Sequence, residues 1–214
     1  NPPYGKSWKT DQERMGGTKN IRDPRFVVEH AGDPEYSLVT RSSDGQMMFL
    51  ANLISKMKHN TTLGSRIAEV HNGSSLFTGD AGQGESNIRR WVIENDWLEA
   101  IVALPLKMFY NTGISTYVWV LSNRKEERRK GKVQLIDATD WFTPLRKNLG
   151  EKAVELSDLD SDRVLKTFLA FDHADDPRHS KIFDNRDFGY SKIVVERPLR
   201  IAGADEGRVY KAAE

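Results

Sequence analysis

The chain has 214 residues, enough for one large domain or one and a half small ones. Hydrophobic residues make up 38%, charged residues 29% and the net charge is +1, which suits a globular protein with a real core and removes any global electrostatic pull toward nucleic acid or membrane. There is no cysteine, so a disulfide framework and a thiolate metal site are excluded; no stretch approaches the roughly 18–20 apolar residues of a membrane span, and the expectation is a cytoplasmic chain.

The chain opens Asn1-Pro2-Pro3-Tyr4. Asn brings a carboxamide with one acceptor and two donors. Two prolines fix φ and remove two backbone donors, which frees their carbonyls for a ligand, and Tyr adds a flat face for stacking. Amide, rigid elbow and aromatic lid together suit a planar substrate bearing an amine, such as adenine turned out of a duplex; the plainer reading is a proline-bearing turn. Residues 5–44 are polar and rich in Gly, Asp, Arg and Lys, and read as a long loop with a short helix. A helix begins near Ser43-Asp44-Gly45, carries Met47, Met48, Leu50, Ala51, Leu53, Ile54 and Met57 at helical spacing, and ends near His59-Asn60. Residues 65–71 read as a short strand, and Gly79-Asp80-Ala81-Gly82-Gln83-Gly84 as a flexible loop. That loop is neither a Walker loop nor a dinucleotide fingerprint, so it is not assigned to phosphate. A second helix runs from Asn87 to Asn95.

Leu98 to Leu104 is a buried-strand candidate stopped by Pro105, and Ile114 to Ser122 is a second, rich in β-prone residues. About ten residues separate the two, too few for a packed crossover helix, so the pair is expected to be antiparallel. Lys132 to Asp137 is a further strand, and the charged turn 124–132 before it is either a solvated hairpin tip or a contact for DNA phosphates. Strands alternating with helices indicate an α/β sheet with antiparallel strands toward its end. Beyond Thr143 the character changes: a helix from Leu156 to Phe171 starting near Ser157 or Asp158, a polar loop 172–186, and a short strand Ile193 to Val195. We divide the chain into residues 1–144 and a C-terminal extension, 145–214. His30, His59, His71, His173 and His179 lack metal-ligand spacing, and no metal site is assigned.

Two blocks carry a family resemblance. The opening Asn-Pro-Pro-Tyr resembles the catalytic loop of adenine amino-methyltransferases. The run from Ile88 through Thr116, with its Leu-Pro after a buried strand and its Phe109-Tyr110-Asn111-Thr112-Gly113 turn, is similar to the modification subunit of type I restriction-modification enzymes. The Gly-rich 79–84 and the stretch from Phe188 to Leu199 are also similar, so the likeness runs from Asn1 to about Leu199. It implies an α/β fold, part of a Rossmann-like S-adenosylmethionine-dependent methyltransferase with a mixed sheet and an antiparallel end, followed by a mainly helical extension.

The same resemblance implies that Asn1 and Pro2 hold the target amine, Pro3 rigidifies the loop and Tyr4 stacks on the extruded base. Phe109 and Tyr110 either line the base pocket or plug the core as a structural turn. The donor, S-adenosylmethionine, is held in this family by a Gly-rich loop and an acidic residue, expected upstream of Asn1. The 214 residues alone are therefore expected not to methylate DNA, and a sheet ending at residue 1 is expected to expose an apolar edge. The implied partners are double-stranded DNA with a flipped adenine, a specificity subunit that chooses the sequence and a restriction subunit. Other readings are a non-catalytic methyltransferase-like scaffold, or an amino-methyltransferase acting on protein glutamine or RNA.

Overall fold

A computed structural model describes residues 3, 5–110, 112–172 and 178–196. The polar segment expected as a loop is more ordered than its composition suggests. It holds a short helix α1 (Lys9–Arg14), a 3-10 turn (Thr18–Asn20) and a hairpin of β1 (Val27–His30) and β2 (Asp33–Ser37). The two-residue turn between the strands is Ala31-Gly32, both at positive φ (52° and 84°), the backbone that matches strand twist in a tight hairpin. Ahead of the hairpin, the Arg25 guanidinium hydrogen-bonded to Asp23 holds that carboxyl down at about 2. The hairpin docks through His30, whose Nε2 lies 2.7 Å from Glu94 Oε2 and whose ring meets Tyr36 edge-on at 5.0 Å.

Helix α2 (Gln46–Ile54) starts where expected but ends five residues early; Met57, beyond its end, is still buried. Next come β3 (Arg66–Asn72), the single turn α3 (Ser74–Phe77), α4 (Gly84–Glu94), β4 (Leu98–Ala103), β5 (Thr116–Ser122) and β6 (Lys132–Asp137). A second hairpin, β7 (Thr143–Leu149) and β8 (Lys152–Glu155), precedes α5 (Asp158–Ala170) and β9 (Ser180–Asp184). Ser157 caps α5 as expected: its Oγ accepts from Asp160 N at 3.2 Å while its own N donates to Asp160 Oδ2 at 2.9 Å.

Five strands form one mixed sheet in the order β3-β5-β4-β6-β9. As expected, β4 and β5 are antiparallel, with Ile101 opposite Trp119. Strand β3 is also antiparallel to β5, β6 is parallel to β4, and β9 closes antiparallel on β6. The stretch assigned to the C-terminal extension thus contributes a strand to the main sheet, and adds a β-hairpin to the helix expected there. Residues 193–195, expected as a strand, join no ladder, and their side chains are exposed.

One face of the sheet carries the larger core, where Ile88, Trp91 and Val92 of α4 and Leu50 and Ile54 of α2 pack on Ile67, Leu98, Trp119 and Leu121. The other face is covered by α5 through Val164 and Phe168, over Val102, Ile136 and Trp141. The charged turn 124–132 serves α5. Arg128 donates to the carbonyls of Leu169 (2.7 Å) and Ala170 (3.1 Å), and Arg129 to that of Phe168 while its guanidinium lies over the Phe168 and Phe171 rings. Cations at a helix C-terminus meet unsatisfied carbonyls and the negative end of the dipole, so both arginines have structural work.

Candidate active site

Strands β3, β4 and β6 run in one direction, so their carboxyl ends lie at one rim of the sheet. In open α/β sheets ligands bind outside that rim. Asn1, Pro2 and Tyr4 lie outside the described residues; Pro3 is exposed, and the next described residue, Gly5, is tied to the rim. Gly5 adopts φ +68°, a left-handed conformation that a side chain disfavours. Its N–H donates to Asp44 Oδ1 at 3.2 Å. The chain then runs beside residues 41–45. Trp8 N donates to Ser42 O (2.9 Å), Trp8 Nε1 to Arg41 O (2.9 Å), and the indole lies so close to Gly45 that a Cβ there would sit 3.0 Å from it.

Asp44 belongs to a buried polar network that joins α2 to the end of β3. Gln46 Nε2 lies 2.8 Å from Asp44 Oδ2, 2.7 Å from Asn72 Oδ1 and 2.7 Å from Ser74 Oγ. Gln46 Oε1 accepts from Asn72 N at 3.1 Å. None of these residues carries a sequence signal of function; Ser43-Asp44-Gly45 marks only a helix start.

The connection 104–115 leaves β4 and re-enters β5 at Thr116, which pairs with Asn72, so it lies at the same rim. On it, Phe109 is half-buried against the cluster of Val102, Leu104, Ile136 and Trp141, which fits a structural plug, whereas Tyr110 is 65% exposed. Asn111 lies outside the described residues.

The Gly-rich stretch has a packing explanation. Gly84, the first residue of α4, lies against the backbone of the chain after β2: an added Cβ would collide with the Val39 carbonyl and sit 2.7 Å from Thr40 N. Glu85 is buried beneath it and accepts from Arg41 N at 3.2 Å, with Arg41 Nε at 3.5 Å. Glu85, in the first turn of α4, puts a negative charge at the helix start, which disfavours an anionic ligand there. The loop expected to be flexible is tied on its outer side by Lys192 to Asp80 (2.9 Å) and by Tyr190 to Ser86 (3.3 Å). Replacing Gly84 by Ala is expected to cost about 3 kcal/mol, the upper range for overpacking, because the obstacle is backbone. Urea unfolding with an unchanged midpoint would show that the contact is looser than this.

Comparison with known proteins places these features in a family. A family described as N-6 DNA methylase matches residues 1–197. The type I restriction enzyme MjaIX methylase subunit of Methanocaldococcus jannaschii is 27% identical over 196 residues, covering 91% of this chain and 30% of that protein. The HindI methylase subunit of Haemophilus influenzae is 30% identical over 67% of this chain and 27% of its own length. Among solved structures, the type I restriction-modification methyltransferase subunit from Streptococcus thermophilus superposes with a TM-score of 0.65 at 23% identity, covering 87% of this chain and 34% of that one. A modification subunit of a putative type I restriction enzyme from Vibrio vulnificus gives 0.55 at 18% identity, over 79% and 34%. The chain spans under a third of the curated relatives' length, and the structural likeness establishes a shared fold.

Proposed function

This chain belongs to the N-6 DNA methylase family, and from that premise we propose that it carries the acceptor-holding loop and one flank of the sheet of an adenine-specific DNA methyltransferase, the modification subunit of a type I restriction-modification system. The observation that carries this reading is the anchoring of Gly5, directly after the Asn1-Pro2-Pro3-Tyr4 sequence, at the carboxyl rim of β3. In the proposed reaction double-stranded DNA presents a flipped adenine. The Asn1 carboxamide oxygen and the Pro2 carbonyl accept from the exocyclic amine and turn its lone pair outward; Tyr4 stacks on the ring. Catalysis is by placement and fixed dipoles.

Methyltransferases of this family use S-adenosylmethionine, which supplies an electrophilic methyl group. The Gly-rich turn 79–84 does not fit it: the turn closes on Glu85, and Gly84 is consumed by backbone contact. We assign the donor's binding groups to the part of the protein for which the longer relatives have length and this chain does not. Phe109 keeps its core contact and Tyr110 is the aromatic we assign to the base. A specificity subunit would choose the target and a restriction subunit complete the assembly, with residues 145–214 as the part that docks the specificity subunit. Among the described residues no helix is long and apolar enough to cross a membrane.

The test uses the complete polypeptide with its specificity partner, tritiated S-adenosylmethionine and chromosomal DNA from a host lacking adenine methylation. Label is expected in N6-methyladenine after digestion to nucleosides. Label in protein or RNA instead, or none in DNA, would sink the reading. Arg128, occupied with the end of α5, is expected to contribute nothing to phosphate binding. Arg128→Ala should leave the salt dependence of DNA binding unchanged, whereas loss of one phosphate contact would lower the log–log slope by about 0.9.

A further inference from the structure

We propose that Asp44 is a positioning residue for methyl transfer, holding the acceptor loop in register through the Gly5 N–H, with Gln46 setting the orientation of its carboxylate. This rests on the reading of residues 1–4 as the loop that holds the target amine. Asp44 is 7% exposed. Its Oδ1 accepts from Gly5 N (3.2 Å) and Gln46 N (3.1 Å), and its Oδ2 from Gln46 Nε2 (2.8 Å) and Ser74 Oγ (3.4 Å). All four donors are neutral. A buried carboxylate is tolerated only when its lone pairs are met, so this one is fixed in direction by the groups around it.

The direction is specified from below. Asn72 N, a backbone donor at the end of β3, requires the oxygen of the Gln46 amide to face it at 3.1 Å. His71 Nδ1 lies 3.3 Å from that same oxygen. The amide nitrogen must then point toward Asp44. Beneath, His71 Nε2 lies 3.2 Å from Glu69 Oε2, and the side chains of both are at most 3% exposed. The rim of β3 thus sets Gln46, Gln46 sets Asp44, and Asp44 sets Gly5. Between Gly5 and Asn1 stand Tyr4 and two prolines with locked φ, so a fixed Gly5 leaves fewer free torsions to the residue holding the amine than an ordinary three-residue link would. A misplacement on the order of 1 Å at a reacting centre costs ~10²-fold in rate.

The experiment uses the complete polypeptide with its specificity partner, the same DNA and tritiated donor, with Asn1→Ala as control. Asp44→Ala is expected to lower kcat ~10²-fold, with KM for DNA and donor within about threefold of wild type. Hydrogen exchange in a peptide covering residues 3–8 should accelerate. Asp44→Asn, which keeps an acceptor for Gly5 N, should recover at least about tenfold of the lost rate. Gln46→Met leaves Asp44 in place but removes its orienting amide; it carries the test if Asp44→Ala fails to fold, and should lower kcat about tenfold. Folded Asp44→Ala or Gln46→Met with kcat and exchange unchanged would overturn the proposal, and loss of activity in Asn1→Ala beside it would show that the methyltransferase reading survives. If the wild-type polypeptide transfers no label to DNA, the functional reading itself falls and takes this inference with it.

Discussion

Replacing Asn1 by Ala in the complete polypeptide is expected to lower methyl transfer to adenine by about 10²–10³-fold, the loss that follows removal of one fixed dipole aimed at a reacting centre. That factor corresponds to roughly 3–4 kcal/mol of transition-state stabilisation. The effect should fall on kcat. The exocyclic amine becomes positively charged as the methyl group arrives, so the carboxamide oxygen interacts more strongly with the transition state than with the bound base, and such an interaction is read in kcat. DNA affinity should stay within about threefold, because phosphate contacts supply most of it. Single-turnover transfer measured beside filter binding separates the two. A variant that keeps its rate would remove Asn1 from the mechanism, whereas one that loses rate and DNA binding together would make the loop a docking element.

The parts of this fold that were legible from sequence are those where a local signal and the tertiary structure agree. The short connection between β4 and β5 forced an antiparallel pair, and the pair has that form. Ser157 and Asp158 ahead of an apolar helical run mark the start of α5, and the helix begins at Asp158. The first hairpin leaves no clear sequence signal because its turn is Ala31-Gly32, with Ala31 at φ +52°, and because polar residues break its apolar alternation. Strand β9, Ser-Lys-Ile-Phe-Asp, is too short and too polar to be read as part of a sheet until β6 supplies its ladder. Arg128 and Arg129 looked like a basic tip, yet their partners lie about forty residues away at the end of α5. The polar network was invisible for the same reason: Gly5 and Asp44 are 39 residues apart, and Gln46 and Asn72 are 26 apart. Chemistry spread over residues that only the fold brings together leaves no spacing to read, whereas Asn1 to Tyr4 sit side by side.

Asp96→Ala is expected to destabilise the chain by about 3 kcal/mol, the low end of the range for removing one partner of a buried ion pair, because the lysine is buried but the Asp96 side chain is 32% exposed. Asp96 turns the chain from α4 into β4 at φ +56°, and its carboxylate ties two further segments, the turn 124–132 and Asn185 after β9. Oδ1 receives Lys125 Nζ at 2.6 Å and Asn185 Nδ2 at 2.9 Å; Oδ2 receives Gly131 N at 3.0 Å. The Lys125 side chain is 2% exposed, and burial already lowers its pKa while Asp96 opposes that shift. Without Asp96, the lysine retains Lys132 O at 2.9 Å and only the weaker attraction of Glu99, with no carboxylate hydrogen-bonded to it. Its folded pKa then falls further below the ordinary 10.5. Between the lowered folded value and the unfolded one, the unfolded chain binds more protons, so the variant's stability rises with pH relative to wild type. The gap in melting temperature between the two should therefore narrow from about pH 7 to about pH 10. Asp96→Gly separates the contributions, since glycine accepts the positive φ but supplies no carboxylate. If Asp96→Gly melted with the wild type, the left-handed turn and not the carboxylate would be what holds these segments together. If the Asp96→Ala gap did not change with pH, Lys125 would not be the group left uncompensated.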